Sequence, residues 1–154
     1  MKKSLVLLPL LLAACQQPVQ HDTASGRPEV CIRKATPAQV SAELSSDLLN
    51  RGYSITQQTD NLVRADHPLK GFGAALLASA YNSNEMPNAR VTYNIVKTES
   101  CTRVVADIAE VVNPGTGFEH TELLNNSQDS LLVQQTLDNL SATFGKKHNP
   151  KKSK

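Results

Sequence analysis

Ala-Arg-Val-Thr-Tyr-Asn-Ile-Val at 89–96 and Thr-Arg-Val-Val-Ala-Asp-Ile-Ala-Glu-Val-Val at 102–112 are the two runs on which the architecture turns. Both are rich in β-branched and aromatic residues with partial alternation, which suits strands with one face buried. Thr98-Glu99-Ser100 between them is short and polar, so the two runs read as an antiparallel hairpin. A second hairpin is expected over 53–65. There Tyr53 and Ile55 alternate with Ser54 and Thr56, Asp60-Asn61 supplies the turn, Leu62 to Ala65 the return strand, and His67-Pro68 the stop. Glu29 to Arg33 reads as a short first strand. Asn113 to Gly117 breaks the long hairpin, after which Phe118 to Leu123 is an edge strand or a loop.

Two long helices bracket these strands. Thr36-Pro37-Ala38-Gln39 has the form of a capping box with proline in the first turn, and Val40, Leu44 and Leu48 recur every fourth residue. Gly52 stands where a left-handed residue ends a helix, so a helix is expected over 36–51. Asn126 or Ser127 can start the second, Asp129 lies near its positive end, and Leu132 or Val133, Leu137, Leu140 and Phe144 make its apolar stripe. Gly145 is the expected stop. The apolar, small-sided segment 72–81 is a short helix or an apolar loop. The order β-α-β-β-β-β-α predicts an α+β fold, an antiparallel sheet of four to six strands with both long helices on one face. The domain is expected over 28–145.

At the start of the chain, Met1-Lys2-Lys3 is cationic, Leu5 to Leu12 is apolar, and Ala13-Ala14 are small residues before Cys15. The apolar zone is short of the roughly 20 residues a transmembrane helix needs. Leu12-Ala13-Ala14-Cys15 resembles the lipobox of bacterial lipoproteins. The resemblance covers the leader only and implies that residues 1–14 are a signal peptide and that Cys15 carries a diacylglyceryl thioether and an N-acyl chain. Buried hydrocarbon at about 0.8 kcal/mol per CH₂ then fixes the protein to a membrane. In enteric-type sorting, Asp after the cysteine favours the inner membrane; Gln16 therefore implies the outer membrane, with the domain facing the periplasm. Residues 15–27 lack apolar periodicity and read as a lipidated, flexible tether. The element order also resembles that of helix-grip domains, including those of a lipoprotein subunit of the outer-membrane β-barrel assembly machine. That likeness is one of architecture alone, without a shared motif.

Removal of Lys2 and Lys3 leaves fourteen basic against fourteen acidic residues. Five lysines, Lys146, Lys147, Lys151, Lys152 and Lys154, fall in the last nine positions, so a mildly acidic body carries a basic tail, 146–154, expected to be disordered. Such a tail can meet anionic lipid or cell wall; nucleic acid is no expected partner outside the cytoplasm. With Cys15 acylated, Cys31 and Cys101 remain, and an oxidising compartment favours a disulfide between them.

No constellation for catalysis stands out. The four histidines, at 21, 67, 120 and 148, lack ligand spacing, and Glu119-His120-Thr121-Glu122 puts at most two candidate ligands on one strand face. Gly-x-Ser-x-Gly is missing, and Asn113-Pro114-Gly115-Thr116-Gly117 matches no phosphate loop. The expectation is a non-enzymatic module without cofactor beyond the lipid, binding or scaffolding an envelope protein. The alternative is a lipid or hydrophobic-ligand carrier with a pocket covered by 72–81.

Overall fold

The computed structural model describes residues 18–147, with the backbone alone given at Phe72 and Lys147. Cys15, Lys151, Lys152 and Lys154 lie outside the described residues. Among those described, the order is β1 (Glu29–Ile32), α1 (Pro37–Asn50), β2 (Ser54–Gln58), β3 (Leu62–Pro68), α2 (Phe72–Ala80), β4 (Asn88–Lys97), β5 (Thr102–Val112), β6 (His120–Leu123) and α3 (Gln128–Lys147). The fold is α+β, an antiparallel sheet of six strands with three helices.

The sheet runs β1-β5-β4-β3-β2, and β6 also pairs with β5. β5 is long enough to hold two partners on one side: β1 covers Thr102 to Val105 and β6 covers Ala109 to Val112. The stretch between them is closed by Leu124, whose N–H donates to the Ile108 carbonyl, and by the Asn125 side-chain carbonyl, which accepts from the Ile108 N–H, both at 2.8 Å. Backbone groups of β5 are thereby satisfied along an edge that no single strand spans.

Register assigns the faces. Ile32↔Thr102, Val104↔Ile95, Ala106↔Tyr93, Tyr93↔Val63 and Val91↔Ala65 place one residue of each pair beside the other on the same side. This side packs with Val40, Leu44 and Leu48 of α1 and Leu137, Leu140 and Phe144 of α3 into one core. Both long helices therefore lie on one face. The other face carries Arg64, Asp66, Arg90, Thr92, Asn94, Arg103 and Asp107, tied by ion pairs and hydrogen bonds, together with Val105, Ala109, Val111 and Leu123.

α1 begins as its residues require. Thr36 accepts from the Gln39 N–H, the Gln39 side chain accepts from the Thr36 N–H, and Gly52, at φ 81°, follows the last turn. Segment 72–80 is a helix, and His120–Leu123 a strand. One expectation fails at the end of α3, which passes through Gly145 and continues to Lys147. An exposed glycine costs a helix about 1 kcal/mol relative to alanine, and here Phe144, buried in the core, holds the last turn in place.

Residues 18–27, expected as part of a free tether, lie against the domain. The Val19 N–H donates to the Asn126 carbonyl at 2.9 Å, and His21 Nε2 meets the buried Ser130 hydroxyl at 2.7 Å. Arg27 closes the segment through Asp107, at 2.7 Å. Polar side chains that carry no apolar period can still find partners, and periodicity is blind to such contacts.

Candidate functional site

A groove of about 330 Å³ opens between the C-terminal end of α1 and the first turns of α3. Tyr93, Val91 and Ile108 form part of its floor, and Leu48 and Val133 stand on opposite walls. The volume lies at the lower end of that of pockets that take small ligands or single apolar side chains. Its chemistry changes along its length because the inward-facing run of β5 does. After Val104, Ala106 and Ile108 comes Glu110, paired with Ala89, which in turn pairs with His67. A carboxylate and an imidazole thus replace aliphatic groups where the sheet runs out from beneath the two long helices.

Other ionisable groups border the same space. Asp47 and Arg51 form an ion pair at 2.8 Å across one helical turn, the Tyr53 ring lies 5.1 Å from the His67 ring, and Asp129 borders the α3 side. Burial pushes the Tyr93 phenol well above its ordinary range, and Asp47 adds to the effect, so the hydroxyl keeps its proton. The groove therefore offers an apolar bed whose margin carries Glu110 and Asp129 beside the Asp47–Arg51 ion pair. Such a site can hold an apolar group beside a charged one.

Segment 72–81 does not cover this groove. α2 borders a separate shallow depression with Ala74, Leu77 and Glu110, and the walls of the main groove are α1 and α3. The hydrophobic segment was the conspicuous signal in the sequence, whereas a cleft between two helices depends on how far apart they cross, which neither stripe encodes.

The cluster around His120 is divided by strand alternation. Glu119 reaches the sheet face away from the helices, where its carboxylate accepts from Arg90 at 2.7 Å and from the Gly115 N–H at 2.8 Å. Arg90 also forks onto Asp66 at 2.8 and 2.9 Å, making a three-membered ion cluster with side chains of Asp66 and Arg90 only 8% and 14% exposed. These contacts hold the Glu119 carboxyl below the usual range, Arg90 first and the Gly115 N–H second. His120 instead stacks on Tyr81 with ring centroids 4.4 Å apart. No group of three or more metal-ligating side chains is found among the described residues. Asn113 to Gly117 is a turn: Asn113 and Gly115 have positive φ, and the Thr116 N–H and hydroxyl both donate to the Asn113 carbonyl.

Cys31 and Cys101 are joined by a disulfide, with Cα atoms 5.6 Å apart, linking β1 to the residue before β5. Lys146 is exposed in the last turn of α3, and Lys147 is that helix's final residue. Among the described residues no helix is long and apolar enough to cross a membrane. What sequence reasoning missed is the groove's polar margin, Asp47, Arg51, His67 and Glu110; its one local trace is Glu110 interrupting an inward aliphatic series, a trace that means nothing until strand register is known. No family model matches this chain, and no curated protein matches it.

Proposed function

We propose that this chain is an envelope lipoprotein, acylated at Cys15 with removal of residues 1–14 and held at the outer membrane facing the periplasm, whose domain is a non-enzymatic binding module for an envelope protein. The observation that carries the binding part is the groove between α1 and α3, apolar within and bordered by Glu110 and Asp129. Its fitting occupant is a partner segment with an apolar anchor followed by a basic residue, the anchor lying over Tyr93 and the cation toward the carboxylates. The acylation rests on the lipobox-like Leu12-Ala13-Ala14-Cys15.

A photo-crosslinking residue at Thr136, in the groove, and another at Thr92, on the sheet face away from the helices, test the reading in cells. The expected result is one discrete protein adduct from position 136, lost when Glu110→Lys is added, and none of the same mass from 92. Identical adducts from both positions would end it. The groove's apolar floor also favours the second reading, a bound lipid or hydrophobic molecule; its mark is a lipid retained by the purified domain in native mass spectrometry and displaced by Val133→Trp.

A further inference from the structure

We infer that the N-terminal end of α3 rests on the bilayer that holds the Cys15 lipid, with Leu131 and Leu132 as the contact surface. The inference rests on the acylation proposed above and adds an orientation to it. Its basis is how little chain is left free. From Val19 onward the N-terminal segment is fixed to the start of α3, at Asn126 and Ser130. Four residue steps separate Val19 from Cys15, and a fully extended chain covers at most about 14 Å in that number. A lipid embedded at residue 15 therefore brings this corner of the domain to the membrane surface.

That corner is apolar where contact would occur. Leu131 and Leu132, in the first turns of α3, are 45% and 62% exposed, Leu132 also bordering the groove. Two adjacent exposed leucines at the end the chain fastens to the lipid give an interfacial contact its apolar area. Of the charged residues close by in the chain, Asp22, Glu122 and Asp129 are exposed and Arg27 is paired with Asp107, so the contact draws on apolar burial rather than on attraction to anionic headgroups. The cationic end of α3 lies opposite: a helix of 20 residues at about 1.5 Å each separates Lys147 from Gln128 by nearly 30 Å.

The chain contains no tryptophan, so a single one reports its own surroundings. Leu131→Trp and Ala142→Trp place it on the same helical face, three turns apart, in full-length acylated protein reconstituted into vesicles of phosphatidylethanolamine and phosphatidylglycerol with brominated acyl chains. Fluorescence at 131 should be quenched at least about twofold more than at 142, unchanged in high salt. The added pair His21→Ala and Arg27→Ala, which removes the two side-chain contacts of the segment and leaves only the Val19–Asn126 backbone bond of those named, should shrink the difference. Equal quenching at the two positions, in protein that floats with the vesicles and carries label from a palmitate analogue, overturns the orientation and leaves the acylation standing. Protein that neither floats nor takes the label overturns both.

Discussion

Among single residues, Arg90 carries the largest electrostatic load. It holds Asp66 and Glu119 at once on the sheet face away from the helices, and removing it leaves a nearly buried carboxylate without its cation. Arg90→Ala should cost about 3 kcal/mol, the low end for a buried pair that loses one partner, measured by urea unfolding; Asp66→Asn in the same background should restore part of the loss. A cost below about 1 kcal/mol would show the cluster to be solvated. Glu29 makes a prediction in pH. Hydrogen bonds from Arg103 draw its carboxyl down to about 2 from the ordinary 4.5, and the Ser25 N–H assists. Because the folded carboxyl binds its proton more weakly than the unfolded one, its stabilisation is complete above the ordinary value and fades as pH falls toward about 2. Arg103→Gln should therefore flatten the decline in urea midpoint between about pH 5 and about pH 2.5; parallel declines in variant and parent would count against the pairing. At this scale little could be read ahead. Arg90, Asp66 and Glu119 are far apart in the chain, and a residue's partner across a sheet is known only with the register, where a slip of one reverses every side chain.

Elements were far more legible. α1 carries its own start and stop in Thr36, Gln39 and Gly52, signals that act within one turn, and its expected and observed limits nearly coincide. The 88–97 and 102–112 strands were visible for a different reason: their buried positions, among them Val91, Tyr93, Ile95, Val104 and Ile108, are filled by β-branched or aromatic residues. What stayed open, 72–80 and 120–123, is short or exposed, so local preference is weak and tertiary contact decides. The end of α3 was misjudged because a glycine permits a stop without requiring one. Edges hold a further lesson. β1 turns the N–H and carbonyl of Glu29 away from β5, and the Gln134 side chain of α3 takes both, at 2.9 and 3.1 Å. Gln134→Leu should destabilise by about 1–2 kcal/mol, and faster hydrogen exchange at Glu29 is the specific readout; unaltered exchange there would refute it. At the opposite edge, β2 is mostly polar and its pairing shifts between Ile55 and Gln57, which discourages addition of a further strand. The disulfide ties the β1 end down covalently. Cys31→Ser with Cys101→Ser should cost about 4 kcal/mol in urea unfolding for a pair 70 residues apart, and a negligible change would mean the unfolded chain is already compact.

For the molecule as a whole, the layer arrangement followed from element order because two amphipathic helices beside a half-apolar antiparallel sheet have one economical packing. The groove did not follow, since its width is the gap left between α1 and α3 after each has met the sheet. If the α3 end rests on the bilayer, the groove's α3 wall begins near the headgroups, so a partner entering it is met close to the membrane. Replacing Cys15 by Ser should abolish labelling with a palmitate analogue and release the protein from membranes without altering the unfolding midpoint of the purified domain; a shifted midpoint would mean that the lipid also packs against the fold. The divided edge of β5 bears on how such a chain comes together over time. Synthesis delivers Glu29–Ile32 early, yet its docking place at Thr102–Val105 appears only after some seventy further residues, while the central hairpins can pair with near neighbours at once. The first strand made is thus among the last to be seated, and until then Val30 and Ile32 wait without a mate, open to whatever escorts unfinished polypeptides.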